Sequence, residues 1–387
     1  MKYLAFVCVL AALAAPVLGA AAVRPNLVVF LSDDHGYGDL GCFGSDRVKT
    51  PVLDGLAAEG ARFTNFYAPA SSCSPTRTGM LTGRAPFRLG IYTYIPGRSQ
   101  MHLRREERTL ANLLRDAGYD TCFVGKWAAN GSLQDPTQPQ PGDHGFQHWF
   151  ATQNNAVPSH LNSTGFVRNG VPVAETKGYS AAVIVDEALG WLAGRADRTR
   201  PFCLFVWFHE PHRVIATPSE FVEPYRSLGD AAKGTRDAHA NPAPATSEYI
   251  GNIAHMDHQV GRVLAALKQS GDEAHTFVLF TSDNGPIEPG STGGMRGGKG
   301  TVYEGGIHLP GIIRWPGHIA PGRVIDTPVS GLDLLPTFCA AADVAPPSDR
   351  ALDGQNMLPL LEGAACPRAN PLTWWRIGGD VAMREGN

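Results

Sequence analysis

Four short apolar runs, each ending in polar or ionisable residues, constrain the fold of this chain more than any other feature. The runs are Asn26–Leu31, Thr121–Val124, Phe202–Phe208 and Thr276–Thr281. Their continuous apolar character is typical of strands that are buried on both faces of a parallel sheet. Helical patterns separate them, at Pro51–Glu59, Arg108–Ala117, Ala181–Ala193 and Glu248–Gln269. The sequence therefore predicts an α/β fold with a large mixed, mostly parallel sheet and helices on both of its faces.

The residues that directly follow these runs are candidate functional residues. They are Asp33 and Asp34 after the first run, Lys126 after the second, His209 and His212 after the third, and Asp283 and Asn284 after the fourth. Ligands bind at the carboxyl edge of an open parallel sheet, so we expect these side chains to meet in one site. A single strand that ends in aspartate usually marks a turn. Four such ends on one edge favour a binding site.

Oxygen donors dominate one part of this expected site. Asp33, Asp34, Asp283 and Asn284 offer three carboxylates and one amide oxygen, without a thiolate. Such a donor set favours Ca²⁺ or Mg²⁺ over Zn²⁺. Without a cation, adjacent acids at two strand ends would repel each other. We interpret the neighbouring His35 as a structural residue rather than as a ligand.

Cationic side chains form the second part of the expected site. Arg77, Lys126, His212 and Lys299 are the candidates, and Lys299 lies in the glycine-rich stretch 297–306. Two lysines and an arginine beside a metal suit a tetrahedral oxyanion such as sulfate or phosphate. The chain as a whole carries a formal net charge of only −3. That balance gives no reason to expect a nucleic-acid partner.

The first 22 residues predict a secretory signal. Lys2 precedes an apolar stretch from Leu4 to Leu18, and small residues follow at 19–22. The stretch is too short to span a bilayer comfortably, so we expect no stable membrane anchor. The mature protein is expected to be exported, to the periplasm or the extracellular space. Cys122 and Cys203 lie inside strand-like runs, and we expect them to be buried thiols rather than halves of disulfides.

The segment Ser72–Arg84 is the most specific in the chain. It reads Ser-Cys-Ser-Pro-Thr-Arg-Thr-Gly-Met-Leu-Thr-Gly-Arg. This resembles the signature of the sulfatase family, in which Cys-x-Pro-x-Arg is followed four residues later by Thr-Gly-Arg. Further segments resemble sulfatase blocks in the family's order, at 31–36, 124–127, 209–212, 281–286, 298–306, 333–337 and 353–354. The resemblance covers almost the whole chain from Pro25 onward.

This resemblance implies the fold of the alkaline phosphatase superfamily and a specific chemistry. A formylglycine-generating enzyme would oxidise Cys73 to formylglycine, whose hydrated form attacks the sulfur of a sulfate ester. The resemblance further implies that Ca²⁺ is bound by Asp33, Asp34, Asp283, Asn284 and the modified Cys73. Arg77 would orient the nucleophile, and Lys126, His212 and Lys299 would hold the sulfate. Lys299 or His212 would also protonate the leaving oxygen.

Two features depart from the family's pattern. The family usually has histidine after Gly-Lys-Trp, where this chain has Ala128. That histidine is thought to be the base that releases sulfate, so slowed turnover is expected. In addition, residues 381–387 resemble the start of a strand in the family's smaller C-terminal domain, most of which would be missing. We therefore expect a signal at 1–22, a catalytic domain at 23–370 and a shortened C-terminal subdomain at 371–387.

Three functions remain open from the sequence. The first is hydrolysis of a sulfate ester, carried by an aryl group or a carbohydrate. The second is hydrolysis of a phosphonate or phosphate ester, because enzymes of that kind in the same superfamily can share the signature and the metal. The third is binding of sulfated glycans with weak catalysis, which Ala128 favours but Cys73 and Arg77 disfavour.

Three residues of types that can bind a metal, His255, Asp257 and His258, lie close together on the longest helical pattern. We interpret them as part of a solvated helix face rather than as a metal site.

Overall fold

The computed structural model describes residues 24–229 and 245–386, so the predicted signal at 1–22 lies outside the described residues. The strands are β1 (Asn26–Ser32), β2 (Ala61–Tyr67), β3 (Asp120–Lys126), β4 (His148–Thr152), β5 (Val167–Arg168), β6 (Val171–Pro172), β7 (Phe202–Trp207), β8 (Thr276–Ser282), β9 (His308–Arg314), β10 (Arg323–Ile325), β11 (Val329–Ser330), β12 (Leu372–Trp375) and β13 (Val381–Arg384). The α-helices are α1 (Pro51–Glu59), α2 (Cys73–Thr82), α3 (Pro86–Leu89), α4 (Leu110–Asp116), α5 (Ser180–Gly194), α6 (Ser219–Val222), α7 (Thr246–Ser270), α8 (Glu304–Ile307), α9 (Leu334–Ala341) and α10 (Leu358–Leu361).

One sheet of eleven strands organises the chain. Its order is β10-β2-β9-β8-β1-β7-β3-β4-β5-β6, with β11 paired to β2. The five central strands β8, β1, β7, β3 and β4 are parallel, whereas β9 runs antiparallel to both of its neighbours. The prediction of a mixed, mostly parallel sheet is therefore confirmed. The four strands predicted from apolar runs are adjacent, so their carboxyl ends share one edge.

The apolar runs form central strands because both of their faces are buried. Along β1, Leu27, Val29 and Leu31 face one core, which contains residues of α2, α4 and α9. Val28 and Phe30 face the other core, which contains residues of α1, α5 and α7. Successive side chains of a strand point to opposite faces, so one continuous apolar run supplies two cores. Helices therefore cover both faces of the sheet, as predicted.

The interpretation of His255 and Asp257 as parts of a solvated helix face is wrong. Both are buried, and only His258 of the three is exposed. The Asp257 carboxylate accepts hydrogen bonds from the backbone N–H groups of Val52, at 3.1 Å, and Leu53, at 2.8 Å. These are free donors in the first turn of α1, where a carboxylate is favourable. Asp257 is thus a cap for a neighbouring helix and not a metal ligand.

The last two strands form a separate antiparallel hairpin, β12–β13. The buried side chain of Trp374 attaches it to the sheet by donating from Nε1 to the carbonyl of Ala68 at 2.7 Å. Arg384 donates to the Tyr67 hydroxyl at 2.8 Å from the other strand.

The sequence predicts no membrane anchor, and it predicts buried thiols at Cys122 and Cys203. Within 24–229 and 245–386, no helix combines the length and the apolar character that a membrane crossing requires. The six cysteines in these ranges are free thiols. Cys122 and Cys203 are fully buried, as predicted.

Candidate active site

The ends of β1 and β8 bring the acidic residues together, because the two strands are parallel neighbours in register from Asn26 to Ser32. Asp33, Asp34, Asp283 and Asn284 are all fully buried. The backbone N–H of Asp34 donates to Asp283 Oδ1 at 3.2 Å, and Asn284 Nδ2 donates to Asp34 Oδ1 at 2.7 Å. The structure therefore places these four sequence-predicted residues in one cluster.

Two oxygen atoms of this cluster have no hydrogen-bond partner among residues 24–229 and 245–386. They are Asp33 Oδ1 and Asn284 Oδ1, and both are fully buried. Buried polar oxygens are almost always satisfied, by a donor or by a bound ion. Ligand atoms of Asp33, Asp34 and His212 also lie within 4.8 Å of one another. The donor chemistry and these unsatisfied oxygens fit a hard divalent cation.

Cys73 is the first residue of helix α2 and is buried. The turn before the helix is held by Thr76, whose hydroxyl donates to the Ala70 carbonyl at 2.8 Å and accepts from the Ala70 N–H. Gly83 ends the helix in a left-handed conformation, with a φ of 66°. A side chain at the start of a helix lies beside free backbone N–H groups, which favour negative charge. The Thr76 and Gly83 contacts thus fix both ends of a short buried helix that presents Cys73.

Arg77 joins this helix to the acidic cluster. Its guanidinium donates to Asp283 Oδ2 at 3.0 Å, to Asp33 Oδ2 at 3.2 Å and to the Lys126 carbonyl at 2.8 Å. Burial opposes the charged form, but Asp283 and Asp33 outweigh it and raise the pKa of Arg77. The planar fork of arginine can satisfy several acceptors at once, which lysine cannot do. Arg77 is therefore a fixed and positively charged residue at the buried end of the site.

Lys126 approaches the site from the end of β3. Its Nζ donates to Asp33 Oδ2 and, at 2.6 Å, to Asn155 Oδ1. Burial alone would raise the pKa of Asp33, but Lys126 and the other cations hold it well below its usual value. The preceding Gly125 has a φ of 112°, and a Cβ there would lie 1.8 Å from the Trp207 carbonyl oxygen. Only glycine fits this approach of β3 to β7.

Lys299 comes from a loop on the far side of the acidic cluster. Its Nζ lies 2.8 Å from the Asp34 carboxylate. The loop is fixed by two backbone bonds, from Lys299 N–H to the Pro286 carbonyl and from Gly300 N–H to the Ser71 carbonyl. Burial lowers the pKa of Lys299, but the negative charge of Asp34 more than offsets this and raises it. The lysine therefore stays protonated beside the segment that presents Cys73.

His212 is neutral and its tautomer follows from its contacts. Its Nδ1 faces the Arg213 carbonyl, which can only accept, so Nδ1 carries the proton. Its Nε2 faces the site, 3.3 Å from Asn155 Nδ2 and 3.6 Å from Asp34 Oδ2. Burial and the charge of Lys299 lower the pKa of His212 to about 4. The ring thus presents an acceptor nitrogen to the site.

Asn155 is a site residue that the sequence reasoning missed. Its side-chain amide lies between the two groups just described, accepting from Lys126 and facing His212 Nε2. It follows β4, which pairs with β3 in parallel. The signal was available, because the run His148–Thr152 is also largely apolar and also ends in amides, at Gln153-Asn154-Asn155. This run forms the fifth parallel strand, β4, beside the four that the longer apolar runs predict.

Replacing Asn155 by alanine is expected to raise KM for a sulfate ester about tenfold with little change in kcat. The substitution removes the side-chain amide that contacts both Lys126 and His212. One hydrogen bond to a charged group contributes about 1.5 kcal/mol to the free energy of binding, which corresponds to about tenfold in affinity. Steady-state kinetics on an aryl sulfate would measure this. Asn154→Ala is the matched control, and an equal effect there would contradict the role of Asn155.

The remaining candidate histidines lie beside the site and not in it. His209 Nε2 contacts the Thr152 hydroxyl and Nδ1 contacts the Ser180 hydroxyl, both at 2.7 Å. His35 is held by Ser32 and by the Asp39 carbonyl. Both nitrogens of each ring are therefore engaged by protein groups. Their contacts make them structural residues, consistent with the interpretation of His35.

Ala128 is buried, two residues after Lys126, in an unusual backbone conformation. Its φ is 53°, in the left-handed region, and its N–H donates to the Gln153 carbonyl at 2.9 Å. Residues other than glycine are uncommon there, although asparagine, aspartate and histidine are several-fold enriched. The position therefore has a backbone conformation that suits histidine, while its alanine side chain offers no proton acceptor.

Comparisons with known proteins show which family the chain resembles in sequence and fold. Residues 25–344 match the family model described as Sulfatase. The chain is 34% identical to N-acetylgalactosamine-6-sulfatase of Rattus norvegicus, over 94% of this chain and 70% of the relative. It is 36% identical to arylsulfatase A of Homo sapiens, over 95% of this chain and 74% of the relative. Its fold superimposes with a TM-score of 0.83 on Ps i-CgsB in complex with k-i-k-neocarrahexaose, at 25% identity, covering 94% of this chain and 82% of that one.

Proposed function

Because this chain belongs to the sulfatase family and is a sulfuric ester hydrolase, we propose that it hydrolyses sulfated glycans with a formylglycine at position 73 and a bound Ca²⁺. The observation that carries the proposal is the position of Cys73. It begins a buried helix whose Arg77 reaches the same acidic cluster that Lys126 and Lys299 contact. A nucleophile, a cation site and an anion site therefore share one edge of the sheet.

The cation is assigned to Asp33, Asp34, Asp283 and Asn284, together with the modified residue 73. The two buried oxygens without hydrogen-bond partners support this assignment. So does the pKa of Asp283, which burial and the negative charge of Asp33 raise to about 6. Nearby positive charge would relieve that repulsion. Oxygen donors alone suit Ca²⁺ and Mg²⁺, and we propose Ca²⁺ because the family resemblance implies it.

Formylglycine supplies a hydrated aldehyde oxygen as the nucleophile, and Ca²⁺ supplies positive charge beside it. Arg77 orients residue 73, since its guanidinium is fixed by Asp33 and Asp283. Lys126 and Lys299 hold two sulfate oxygens through Nζ. Lys299 also donates a proton from Nζ to the leaving oxygen.

His212 is assigned to a third sulfate oxygen. Its Nε2 is an acceptor in the free site, but the negative charge of an entering sulfate favours protonation there. The ring then becomes a donor to the sulfate, with Nδ1 still bound to the Arg213 carbonyl.

Release of sulfate is proposed to be the slow step. The family's proton acceptor is absent at Ala128, and general-base catalysis contributes ~100- to 10,000-fold. Turnover is then limited by water or by a weaker acceptor. The enzyme would still bind sulfated substrates and carry out the first step.

The partners and the location follow from the same assignment. Relatives named for N-acetylgalactosamine 6-sulfate support a sulfated glycan as the substrate class. A formylglycine-generating enzyme would act on Cys73 before or during export to the periplasm or the extracellular space. The catalytic chemistry is assigned to residues 23–370, and 371–387 to the start of a C-terminal subdomain.

Mass spectrometry of the Cys73 peptide tests the proposed nucleophile. After co-expression with a formylglycine-generating enzyme, we expect that peptide to be about 18 Da lighter than the cysteine form, because an aldehyde replaces the thiol. The peptide that contains Cys42 is the internal control and should keep the mass of a thiol.

A paired assay tests the reaction on the same preparation. The modified protein should hydrolyse an aryl sulfate faster than the matching aryl phosphate, and a calcium chelator should remove the activity. Unmodified Cys73, or a preference for the phosphate ester, would contradict the proposal.

A further inference from the structure

A cleft leads outward from the proposed sulfate site. It has a volume of about 610 Å³, and its inner end is lined by Ser72, His212 and Lys299. Its outer part is lined by Tyr92 and by Trp375 of the hairpin β12–β13. A leaving group attached to a sulfate on Lys299 must lie along this cleft. The outer residues are therefore positioned to select the leaving group.

Two aromatic rings at the outer end are exposed. Trp375 is 57% exposed and Tyr92 is 48% exposed. Exposed single apolar residues are common, but large aromatic side chains that line a cavity are an informative exception. The Trp375 side chain is nevertheless held in place, because its ring packs on the Phe87 ring with a centroid distance of 5.6 Å. The Tyr92 hydroxyl donates to the Phe87 carbonyl at 3.4 Å. Phe87 thus contacts Trp375 through its ring and Tyr92 through its carbonyl. We call Trp375 and Tyr92 together the aromatic wall.

The hairpin fixes the direction in which Trp375 points. Its neighbour Trp374 is only 3% exposed and packs on the Tyr67 ring at 5.4 Å. Successive side chains of a strand point to opposite faces, so burial of Trp374 turns Trp375 outward. The hydrogen bonds of Trp374 and Arg384 to the segment before α2 hold this arrangement. The wall is therefore built into the fold before any substrate binds.

The lining favours a carbohydrate over a steroid or a lipid. Polar residues line the cleft together with the rings, among them Ser71, Thr93 and Arg376. A steroid requires continuous apolar walls, and unpaired polar groups facing it would be costly. A pyranose ring offers an apolar C–H face to an aromatic ring and hydroxyls to polar neighbours. The mixture of aromatic and polar residues in the lining matches this amphipathic character.

We propose that Trp375 and Tyr92 are specificity-determining residues, and that their aromatic wall binds the sugar ring of a sulfated saccharide whose sulfate lies on Lys126 and Lys299. The inference rests on the proposed function, because it uses that sulfate position to orient the sugar. It adds the residues that recognise the leaving group, and it assigns this role to the hairpin β12–β13.

Binding measurements on the Cys73→Ser variant test the inference without turnover. Calorimetry in Ca²⁺-containing buffer would compare three probes: inorganic sulfate, N-acetylgalactosamine 6-sulfate and oestrone sulfate. We expect the sugar sulfate to bind at least tenfold more tightly than inorganic sulfate. Adding Trp375→Ala should remove that gain, because covering one face of an indole ring corresponds to about tenfold in affinity. Binding of inorganic sulfate should not change.

Met383→Ala is the matched control, since Met383 is an apolar residue of the same hairpin that is 65% exposed and lies outside the cleft lining. It should leave all three affinities unchanged, and thermal unfolding should show that each variant is folded. Failure of inorganic sulfate to bind would overturn the proposed sulfate site itself. Three other outcomes would overturn the aromatic wall alone: equal affinity for sugar sulfate and inorganic sulfate, an unchanged affinity in Trp375→Ala, or tighter binding of oestrone sulfate than of the sugar.

Discussion

Histidine at position 128 is expected to raise the turnover of an aryl sulfate by ~100- to 10,000-fold, which is the range that a positioned general base contributes. The backbone at Ala128 already has a φ of 53°, which histidine tolerates better than most residues. Ala128 lies two residues after Lys126, whose Nζ reaches the acidic cluster. The new imidazole would therefore be introduced beside the proposed sulfate site.

Rapid-mixing kinetics would identify the step that changes. If release of sulfate limits the natural chain, the aryl alcohol should appear in a fast burst of about one equivalent, followed by a slow steady rate. In Ala128→His the steady rate should approach the burst rate. Both proteins should release the first equivalent at similar rates, because Arg77 and Lys299 are unchanged.

Ala128→Asn is the matched control for this experiment. Asparagine also tolerates a positive φ and is similar in size, but it cannot accept a proton near neutral pH. It should leave the slow rate unchanged. An ordinary turnover rate of the natural chain that histidine at 128 does not alter would show that another group already supplies the base.

Arg77→Met is expected to lower the free energy of unfolding by about 3–5 kcal/mol, because it leaves buried carboxylates without their partner. Asp33 and Asp283 both contact the Arg77 guanidinium, and all three side chains are fully buried. Activity on a sulfate ester should also disappear, since residue 73 is no longer oriented. Urea unfolding without added metal would measure the change in stability.

Two further variants separate this effect from a general loss of packing. Arg88→Met removes an exposed ion pair with Asp353, and such pairs contribute about 0–1 kcal/mol. Adding Asp283→Asn to Arg77→Met should restore part of the stability but none of the activity, because one uncompensated carboxylate is gone. If the double variant were less stable than Arg77→Met, repulsion between buried carboxylates would not be the cause of the loss.

The sequence predicts the centre of this fold well because the central strands are buried on both faces. The first run was expected at Asn26–Leu31 and the strand is Asn26–Ser32. The last was expected at Thr276–Thr281 and the strand is Thr276–Ser282. Polar residues at the strand ends then predicted a common edge, which parallel pairing produces.

Other parts of the molecule depend on contacts that no local pattern encodes. Asp257 caps a helix about 200 positions earlier in the chain, and its own helix gives no sign of that partner. Trp374 binds the carbonyl of Ala68, 306 positions away. The place of Trp375 at the cleft depends on that contact, on the hydrogen bond of Arg384 to Tyr67 and on packing against Phe87. Asn155 is a different case. Its strand β4 has a local apolar pattern, but the pattern is only five residues long and therefore a weak signal.

The six ionisable side chains at the edge of the sheet have a consequence for the order of binding. Asp33, Asp34 and Asp283 face Arg77, Lys126 and Lys299, so the charges of these six side chains cancel when all are ionised. The protein alone therefore contributes little net electrostatic attraction for an anion. A divalent cation leaves an excess of two positive charges, and the site then attracts a sulfate ester. Thermodynamic reciprocity requires that the ester tighten the hold on the cation by the same factor. With the proposed cation, substrate and metal would therefore act as mutual effectors, and scarcity of either one would weaken the retention of the other.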